Sequence, residues 1–460
     1  MVKIGTGRVD ITPEIGTDLA GQFEPRKSIS IHDPLFARAL ILEKNGVKAT
    51  IIACDLVGIN RETIEKAKKL IKEQTEINPA NIIIHTTHTH TGPAIAKVSG
   101  TDNEKNRAYL SALPKKIAAS VVLANKNLFS ATIEYGKGEE NRISFNRRYL
   151  MKDGTVRTNP GFGTDWYARK KEGNSNIVKP TGPIDPGIEV LRFKDEKKET
   201  KVLLVNFTCH CDTVGGDLIS ADYPGVMRNL IQKRFGKELF VLFISGTSGN
   251  INHLNCLHPE MMRTGYFAHT QWMGEILGKD VLKICENLKE IPAPELKVGQ
   301  RKLNIPRHPI SPLQLKIARK IVDKGIESLD QEEKKEWSKL ENNFGDEKVW
   351  AKEMILFNQE PPLVEIEVTA ISIGEVAIVG LPGEMFVEYG LKIKRESKFK
   401  QVFIAQLCNG CIRGYIPTKE AFSQPTGYEQ RLARSSKIIP DAGNIITQTA
   451  LELLTSRREK

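Results

Sequence analysis

Apolar runs separated by polar, glycine-containing turns predict an α/β fold for this chain. Residues 35–43 form a largely apolar run, and residues 49–54 form another after the turn Lys44-Asn45-Gly46, a pattern typical of an antiparallel hairpin. Residues 61–75 carry apolar side chains at helical spacing, and the isoleucines at 82–84 indicate a buried strand. This order of elements is typical of mixed β-sheets flanked by helices.

The rest of the chain continues this alternation, with one interruption. We predict further strands at 201–208, 239–244, 364–373, 376–381 and 401–407, and helices at 106–125 and 441–454. Residues 309–361 are rich in Lys and Glu, with Leu, Ile and Trp at helical spacing, which indicates a helical insertion on the surface. We therefore expect one large domain, residues 1–460, that carries this insertion.

Histidines collect at the end of the isoleucine strand, in the stretch NIIIHTTHTHTGPA. If the chain stays extended there, His88 and His90 share a face, whereas His85 faces the other way. Because ligands of open α/β sheets bind at the carboxyl ends of strands, the pair predicts either a metal site or an acid/base pair.

Two further strand ends offer side chains of the same kind. His210 follows one apolar strand, and Glu384 follows the Pro-Gly turn after another, so the chain has enough nitrogen and oxygen ligands for a catalytic zinc site. Ser248 lies in Gly246-Thr247-Ser248-Gly249, which lacks the spacing of a nucleophile elbow. The glycine-rich turns also lack phosphate-loop and dinucleotide spacing, so we expect no nucleotide cofactor.

Charge and cysteine content limit the classes of partner that the sequence predicts. The balance of 67 basic and 56 acidic residues gives a net charge of +11, but no basic stripe is interleaved with aromatics, so nucleic-acid binding is not predicted. Cys408 and Cys411 form a C-x-x-C that is half a zinc site, a redox motif or simply two thiols. No apolar run suggests a signal peptide or a membrane span. We expect a cytoplasmic protein without stable membrane association.

Five motifs, in order, resemble the neutral/alkaline ceramidase family: THTHTGPA, NFTCH, SGTSGNIN, GLPGE and GYIPTKEAF, followed by a closing helix. The resemblance extends from about residue 5 to 454 and implies a zinc-dependent amidase in which a metal-bound water attacks the carbonyl. It implies His88, His210, Glu384 and Tyr415 as metal ligands. It also implies that His90 acts as acid/base or substrate contact and that Arg147 is an active-site arginine.

The chain departs from this family in two places. Asn252 stands where the ceramidases have Ser, and Asn cannot act as a nucleophile at neutral pH. The chain also stops after its closing helix, without the β-sandwich of the secreted ceramidases. We therefore expect zinc-dependent cleavage of an amide or related C–N bond in a soluble small molecule. Ceramide hydrolysis, a metal-dependent binding protein without turnover, and iron or manganese in place of zinc remain alternatives.

Overall fold

The computed structural model confirms the predicted α/β class: large β-sheets are flanked by helices. It describes residues 1–22, 25–95, 103–162, 172–338, 340, 347–410, 414–424 and 427–455. The strands are β1 Val2–Asp10, β2 Asp18–Leu19, β3 Arg26–Lys27, β4 Ser30–Ile31, β5 Phe36–Lys44, β6 Val47–Cys54, β7 Ile82–Thr86, β8 Phe129–Glu139, β9 Phe145–Asn146, β10 Arg148–Met151, β11 Val156–Thr158, β12 Ile177–Pro180, β13 Gly187–Lys194, β14 Thr200–Phe207, β15 Leu218–Ile219, β16 Phe240–Ser245, β17 Ile251–Asn252, β18 Lys289–Glu290, β19 Leu296–Pro306, β20 Leu363–Ile373, β21 Val376–Gly380, β22 Glu384–Met385, β23 Gln401–Ala405 and β24 Tyr415–Ile416. The helices are α1 Arg61–Thr75, α2 Glu104–Lys126, α3 Asp222–Phe235, α4 Ala268–Ile284, α5 Pro312–Lys324, α6 Gln331–Ser338, α7 Glu347–Asn358, α8 Val387–Glu396, α9 Lys419–Ser423 and α10 Ala442–Thr455.

The first sheet has the strand order β16-β14-β13-β8-β1-β5-β6-β7, with β18 added beside β8. The predicted hairpin is confirmed, because β5 and β6 pair antiparallel across Asn45 and Gly46, both of which have positive φ. Strands β14 and β16 are parallel, as are β6 and β7. Five antiparallel pairings separate β14 from β6, so the two parallel pairs run in opposite directions along the sheet. The residues that follow β7 and β14 nevertheless meet in space.

The second sheet has the order β19-β20-β21-β23 and packs on the inner face of the first. The core between the sheets joins side chains such as Leu40 and Leu204 to Ile371 and Phe403. Helices α1 and α2 cover the outer face near β5, and α3 and α4 cover it near β14. Helix α2 approaches β1 closely at Gly5 and Gly7, where an added Cβ would lie 2.0 Å from the carbonyl oxygens of Ala124 and Ser120.

Residues 309–361 contain helices α5, α6 and α7, which lie between β19 and β20 along the chain. The two strands pair along their whole length, from Leu296 opposite Ile373 to Pro306 opposite Leu363. The helices enclose a small apolar core of their own, which also includes Leu432. No helix in the described part of the chain combines the length and the apolar composition that crossing a bilayer requires.

Candidate metal centre

Three histidines and a glutamate reach the same point from the ends of different strands. His88 follows β7, His210 follows β14, and Glu384 begins β22 after the turn that ends β21. His88 has a left-handed backbone with φ of 73°, and its N–H donates to the Leu56 carbonyl at 2.9 Å. The prediction that His88 and His90 face the same way is confirmed. The reason for that prediction, an extended chain through both residues, was wrong. Strand β7 ends at Thr86, and the left-handed backbone of His88 lies between the strand and His90.

The imidazole nitrogens of these residues converge closely. His88 Nε2 lies 3.2 Å from His210 Nε2 and 3.3 Å from His90 Nε2. Glu384 Oε2 lies 3.3 Å from Nε2 of both His88 and His210. Each of the four side chains is wholly or largely buried. The three histidines alone form a group whose ligand atoms all lie within 4.8 Å of one another.

The hydrogen bonds on the far side of two rings show what this cluster can hold. Nδ1 of His88 donates to the Val57 carbonyl at 2.6 Å, and Nδ1 of His210 donates to the Ile251 carbonyl at 2.9 Å. In a neutral imidazole this leaves Nε2 as a lone-pair acceptor. Lone pairs on two nitrogens and a carboxylate oxygen then face one another in a buried space, and a cation among them would remove the repulsion. The donor set fits zinc or a related divalent metal.

The charges of the cluster agree with this interpretation. Burial lowers the pKa of His210 to about 3, helped by the neighbouring Arg147 guanidinium. Burial alone would raise the pKa of Glu384, but the imidazoles of His88 and His210 hold it well below its usual value. At His88 burial is outweighed by the Glu384 carboxylate, and the pKa is raised. The negative charge of Glu384 thus favours a positive charge at the centre of the cluster.

Arg147 lies beside the cluster, held by a carboxylate that the sequence did not indicate. Its Nη1 is 3.4 Å from His210 Nε2, and its Nη2 donates to the Gly249 carbonyl at 2.6 Å. Its Nε donates to Glu429 Oε1 at 3.0 Å. Glu429 is completely buried and also accepts a hydrogen bond from Thr158 Oγ1 at 3.0 Å. The guanidinium is therefore fixed at the edge of the candidate metal centre.

His90 has a second partner that sequence reasoning also missed. Its Nδ1 lies 3.3 Å from Asp212 Oδ1, and its backbone carbonyl accepts a hydrogen bond from Arg26 Nη2 at 2.7 Å. Asp212 stands two residues after His210, so proximity in sequence was the one signal for it. His90 is thus oriented with Nε2 towards His88 and is as well placed to bind a metal as to contact a substrate.

Tyr415 and Asn252 lie next to the cluster in different ways. Tyr415 pairs with Glu384 between β24 and β22, and the Arg147 guanidinium stacks over its ring at 5.1 Å. The Asn252 amide donates to Asn159 Oδ1 at 2.8 Å and accepts from the Leu254 N–H at 3.0 Å. Its link to the cluster is indirect, through the carbonyl of its neighbour Ile251.

The serine and the described cysteines of the other sequence motifs are buried side chains. Ser248 is buried, and its hydroxyl and N–H both bond to the Gln406 amide, at 2.7 and 3.0 Å. The thiols of Cys209 and Cys211 are buried, which raises their pKa. Cys408 is buried and donates to the Ala405 carbonyl at 3.2 Å, whereas Cys411 lies outside the described residues.

Comparison with known proteins identifies the family. Residues 2–247 match the profile described as "Neutral/alkaline non-lysosomal ceramidase, N-terminal". Neutral ceramidase B of Dictyostelium discoideum is 26% identical over 244 residues, which is 50% of this chain and 32% of that protein. The chain thus spans about a third of the length of this curated relative.

Solved structures extend the likeness in fold to the whole chain. The neutral ceramidase from Pseudomonas aeruginosa superposes with a TM-score of 0.72 at 21% identity, covering 100% of this chain and 74% of that one. A structure titled "Ceramidase complexed with C2" gives 0.71 at 18% identity, covering 100% and 75%. The profile match includes more than half of the chain, with His88, His90, Arg147 and His210 inside it. The chain belongs to the neutral/alkaline non-lysosomal ceramidase family.

Proposed function

We propose that this protein is a zinc-dependent hydrolase that cleaves an amide or related C–N bond in a soluble small molecule. The observation that carries the proposal is the convergence of His88 Nε2, His210 Nε2 and Glu384 Oε2, two nitrogens and an oxygen within 3.3 Å of one another. With Tyr415 beside Glu384, these residues would hold the metal. A zinc ion there supplies a Lewis acid that polarises a carbonyl and lowers the pKa of water.

The surrounding side chains fit the remaining steps of amide cleavage. Arg147 presents a fixed cation next to the cluster, where it can donate a hydrogen bond to the oxyanion that develops on the carbonyl. His90 can take the proton of the attacking water at Nε2 and deliver it to the departing amine. Asp212 stabilises the imidazolium formed in between. Asn252 can donate a hydrogen bond to the substrate, but it supplies no nucleophile.

The relatives' names indicate ceramide, a lipid with an amide bond. We propose the same kind of bond, an amide, for the substrate of this protein. The identity of that substrate is left to experiment. The experiment measures bound metal in the purified protein and hydrolysis of two substrate sets, short-chain ceramide and water-soluble N-acyl amines. We expect stoichiometric zinc and turnover of the soluble set. The variants His88→Ala and His210→Ala should lose activity at least about 100-fold.

The control variant is His258→Ala, which removes an exposed histidine paired with Glu260, and it should keep full activity. Hydrolysis of ceramide alone would make ceramide the substrate, and the proposed zinc-dependent cleavage of an amide bond would stand. Bound metal with no turnover of either set would make the protein a metal-dependent binding protein. Full activity of His88→Ala and His210→Ala would refute the proposed metal centre.

A further inference from the structure

Two arginines lie side by side on neighbouring strands that do not carry the candidate metal centre. Arg8 near the end of β1 and Arg38 near the start of β5 are direct partners in the antiparallel register. Side chains in such positions have Cβ atoms about 5 Å apart, and like charges there destabilise a sheet. Both guanidinium groups also lie over the Phe36 ring, at 4.9 and 4.7 Å from its centre. The fold thus holds two cations together that would repel each other.

Arg38 is a buried cation that forms no ion pair. It is only 6% exposed, and its Nε has no hydrogen-bond partner. Throughout the described part of the chain, no carboxylate lies within ion-pair distance of Arg38 or of Arg8. Because a buried charge without a partner is costly, this guanidinium indicates a site for a counter-ion.

Asp55 is the carboxylate whose charge acts on Arg38, but it is bound by a third arginine. Its Oδ1 and Oδ2 accept from the two Nη atoms of Arg228, each at 3.1 Å, and Oδ2 also accepts from the Phe36 N–H at 3.1 Å. Burial lowers the pKa of Arg38 to about 9, and the charges of Arg228 and Arg8 lower it further against the opposing effect of Asp55. One carboxylate therefore faces three guanidinium groups, and an excess of positive charge remains.

Arg8 brings this excess charge to the surface. It is exposed, so its side chain can change rotamer around a ligand. Asp10, the next residue on the same face of β1, is exposed as well, and its Oδ1 accepts from the Thr12 N–H at 2.7 Å. An anion between Arg8 and Arg38 would supply the missing counter-charge and remove their repulsion. The forks of two guanidinium groups match the oxygens of a tetrahedral oxyanion.

We propose that Arg8 and Arg38 bind a small tetrahedral oxyanion, phosphate or sulfate. Arg38 donates hydrogen bonds to the ligand from the buried side, and Arg8 donates from the side of the solvent. The Phe36 ring holds both guanidinium groups in place. A doubly charged ion is preferred over chloride or acetate because two cations bind it.

The test is isothermal titration calorimetry of the full chain with sodium phosphate, sodium sulfate and sodium acetate at constant ionic strength. A chelator is present, because bound metal would itself bind phosphate. No substrate is turned over, so the result does not depend on the proposed hydrolase activity. We expect phosphate and sulfate to bind with a Kd on the order of 1 mM, and acetate to bind at least about tenfold more weakly.

Variants locate the binding site. Arg8→Met and Arg38→Met should each weaken phosphate binding at least about tenfold. Arg319→Met, at an exposed arginine on α5, is the matched control and should bind phosphate normally. The proposal is overturned if phosphate gives no heat at about 10 mM, if acetate binds equally well, or if Arg8→Met binds phosphate as the unaltered protein does.

A charge reversal at the exposed position tests the same site even if Arg38→Met fails to fold. Arg8→Glu places a carboxylate directly opposite Arg38, where it supplies the counter-charge from within the chain. We expect this variant to lose phosphate binding and to have a higher thermal midpoint than the unaltered protein in phosphate-free buffer, measured by differential scanning calorimetry. A lower midpoint for Arg8→Glu would show that Arg38 needs no counter-ion and would overturn the proposal.

Discussion

His88 combines a left-handed backbone with a completely fixed ring. A φ of 73° is uncommon for a residue other than glycine, and it persists here because the Leu56 and Val57 carbonyls bind the His88 N–H and Nδ1. The ring therefore cannot turn away from His210. The position of Nε2 is set by the protein before any metal binds, which is the preorganisation that tight metal sites require.

Metal affinity should depend on pH through His88. Its pKa is raised above 6.5 by Glu384 despite burial, so below that raised pKa a metal must displace a proton from His88. We expect affinity to fall as the pH is lowered through the pKa of His88, and about one proton to be released per metal bound. Titration calorimetry in buffers of different ionisation enthalpy measures this proton directly. Release of none at mildly acidic pH would contradict the assignment.

Among the residues around the site, we expect replacement of Glu429 to lower the free energy of unfolding most. It is the buried carboxylate next to both Arg147, at 3.0 Å, and Arg148, at 3.7 Å. Glu429→Gln removes the carboxylate that lies against two buried guanidinium groups, and we expect the free energy of unfolding to fall by about 3 kcal/mol or more. Urea denaturation measures the change, and the fully exposed Glu62→Gln is the control. A Glu429→Gln variant as stable as the control would show that other groups neutralise the arginines.

The ligand candidates could be predicted from the sequence because they are His and Glu side chains that closely follow strongly apolar strands. The residues that position the side chains around the site could not be predicted in this way. Glu429 is 282 residues from Arg147 and stands in a segment without apolar periodicity, so no local pattern indicates it. His90 shows a second limit: sequence spacing places it near the cluster but does not separate a metal ligand from a substrate contact.

At the level of elements, the helical insertion contacts the segment that follows Glu429, which its charged sequence did not indicate. Trp350 of α7 lies under the Arg431 guanidinium at 4.4 Å. Glu353 pairs with Arg434, and Glu360 pairs with Lys437 at 3.0 Å. These contacts hold the segment that follows Glu429. The insertion therefore supports the carboxylate that positions Arg147, a link visible only in three dimensions.

Amide side chains join the two sheets where the site lies. Asn206 of β14 donates to the Ile244 and Ile404 carbonyls at 2.9 and 3.0 Å, and it accepts from the Ile404 N–H at 2.8 Å. The Gln406 amide likewise makes two hydrogen bonds to Ser248: it accepts from the Ser248 N–H and donates to the Ser248 hydroxyl. The amide of Asn206 thus occupies the place that a neighbouring strand would take beside β23.

Replacing this amide should weaken the junction of the sheets. Asn206→Leu has a similar volume but leaves the N–H and carbonyl of Ile404 without partners, and we expect a loss of about 2–4 kcal/mol in the free energy of unfolding. Chemical denaturation checks this value, with Asn287→Leu at an exposed position as the control. Equal stability of the two variants would mean that water reaches the junction.

For the whole molecule, the candidate metal centre lies between the two sheets. His88 and His210 follow strands of the first sheet, whereas Glu384 follows β21 of the second. A metal bound by all three therefore crosslinks the sheets in the folded state alone.

Zinc should accordingly stabilise the folded protein. At a hundredfold excess over Kd the gain is about 2.7 kcal/mol, which corresponds to a rise of about 3 °C in the thermal midpoint of a chain of this length. Differential scanning calorimetry with and without a chelator measures the shift. His88→Ala should abolish it and His258→Ala should preserve it. A shift that survives in His88→Ala would place the bound metal elsewhere.

The amides at the edges of the sheets also explain how two sheets can end inside one molecule. Strand β7 is an edge of the first sheet, and its Ile84 N–H is taken by Asn409 Oδ1 at 3.0 Å. Strand β23 is an edge of the second, and Asn206 takes both backbone groups of Ile404. Both strands are completely buried, and a buried backbone group without a partner is costly. These two side chains therefore take the place of a further strand, and each sheet can stop in the interior without leaving these backbone groups unsatisfied.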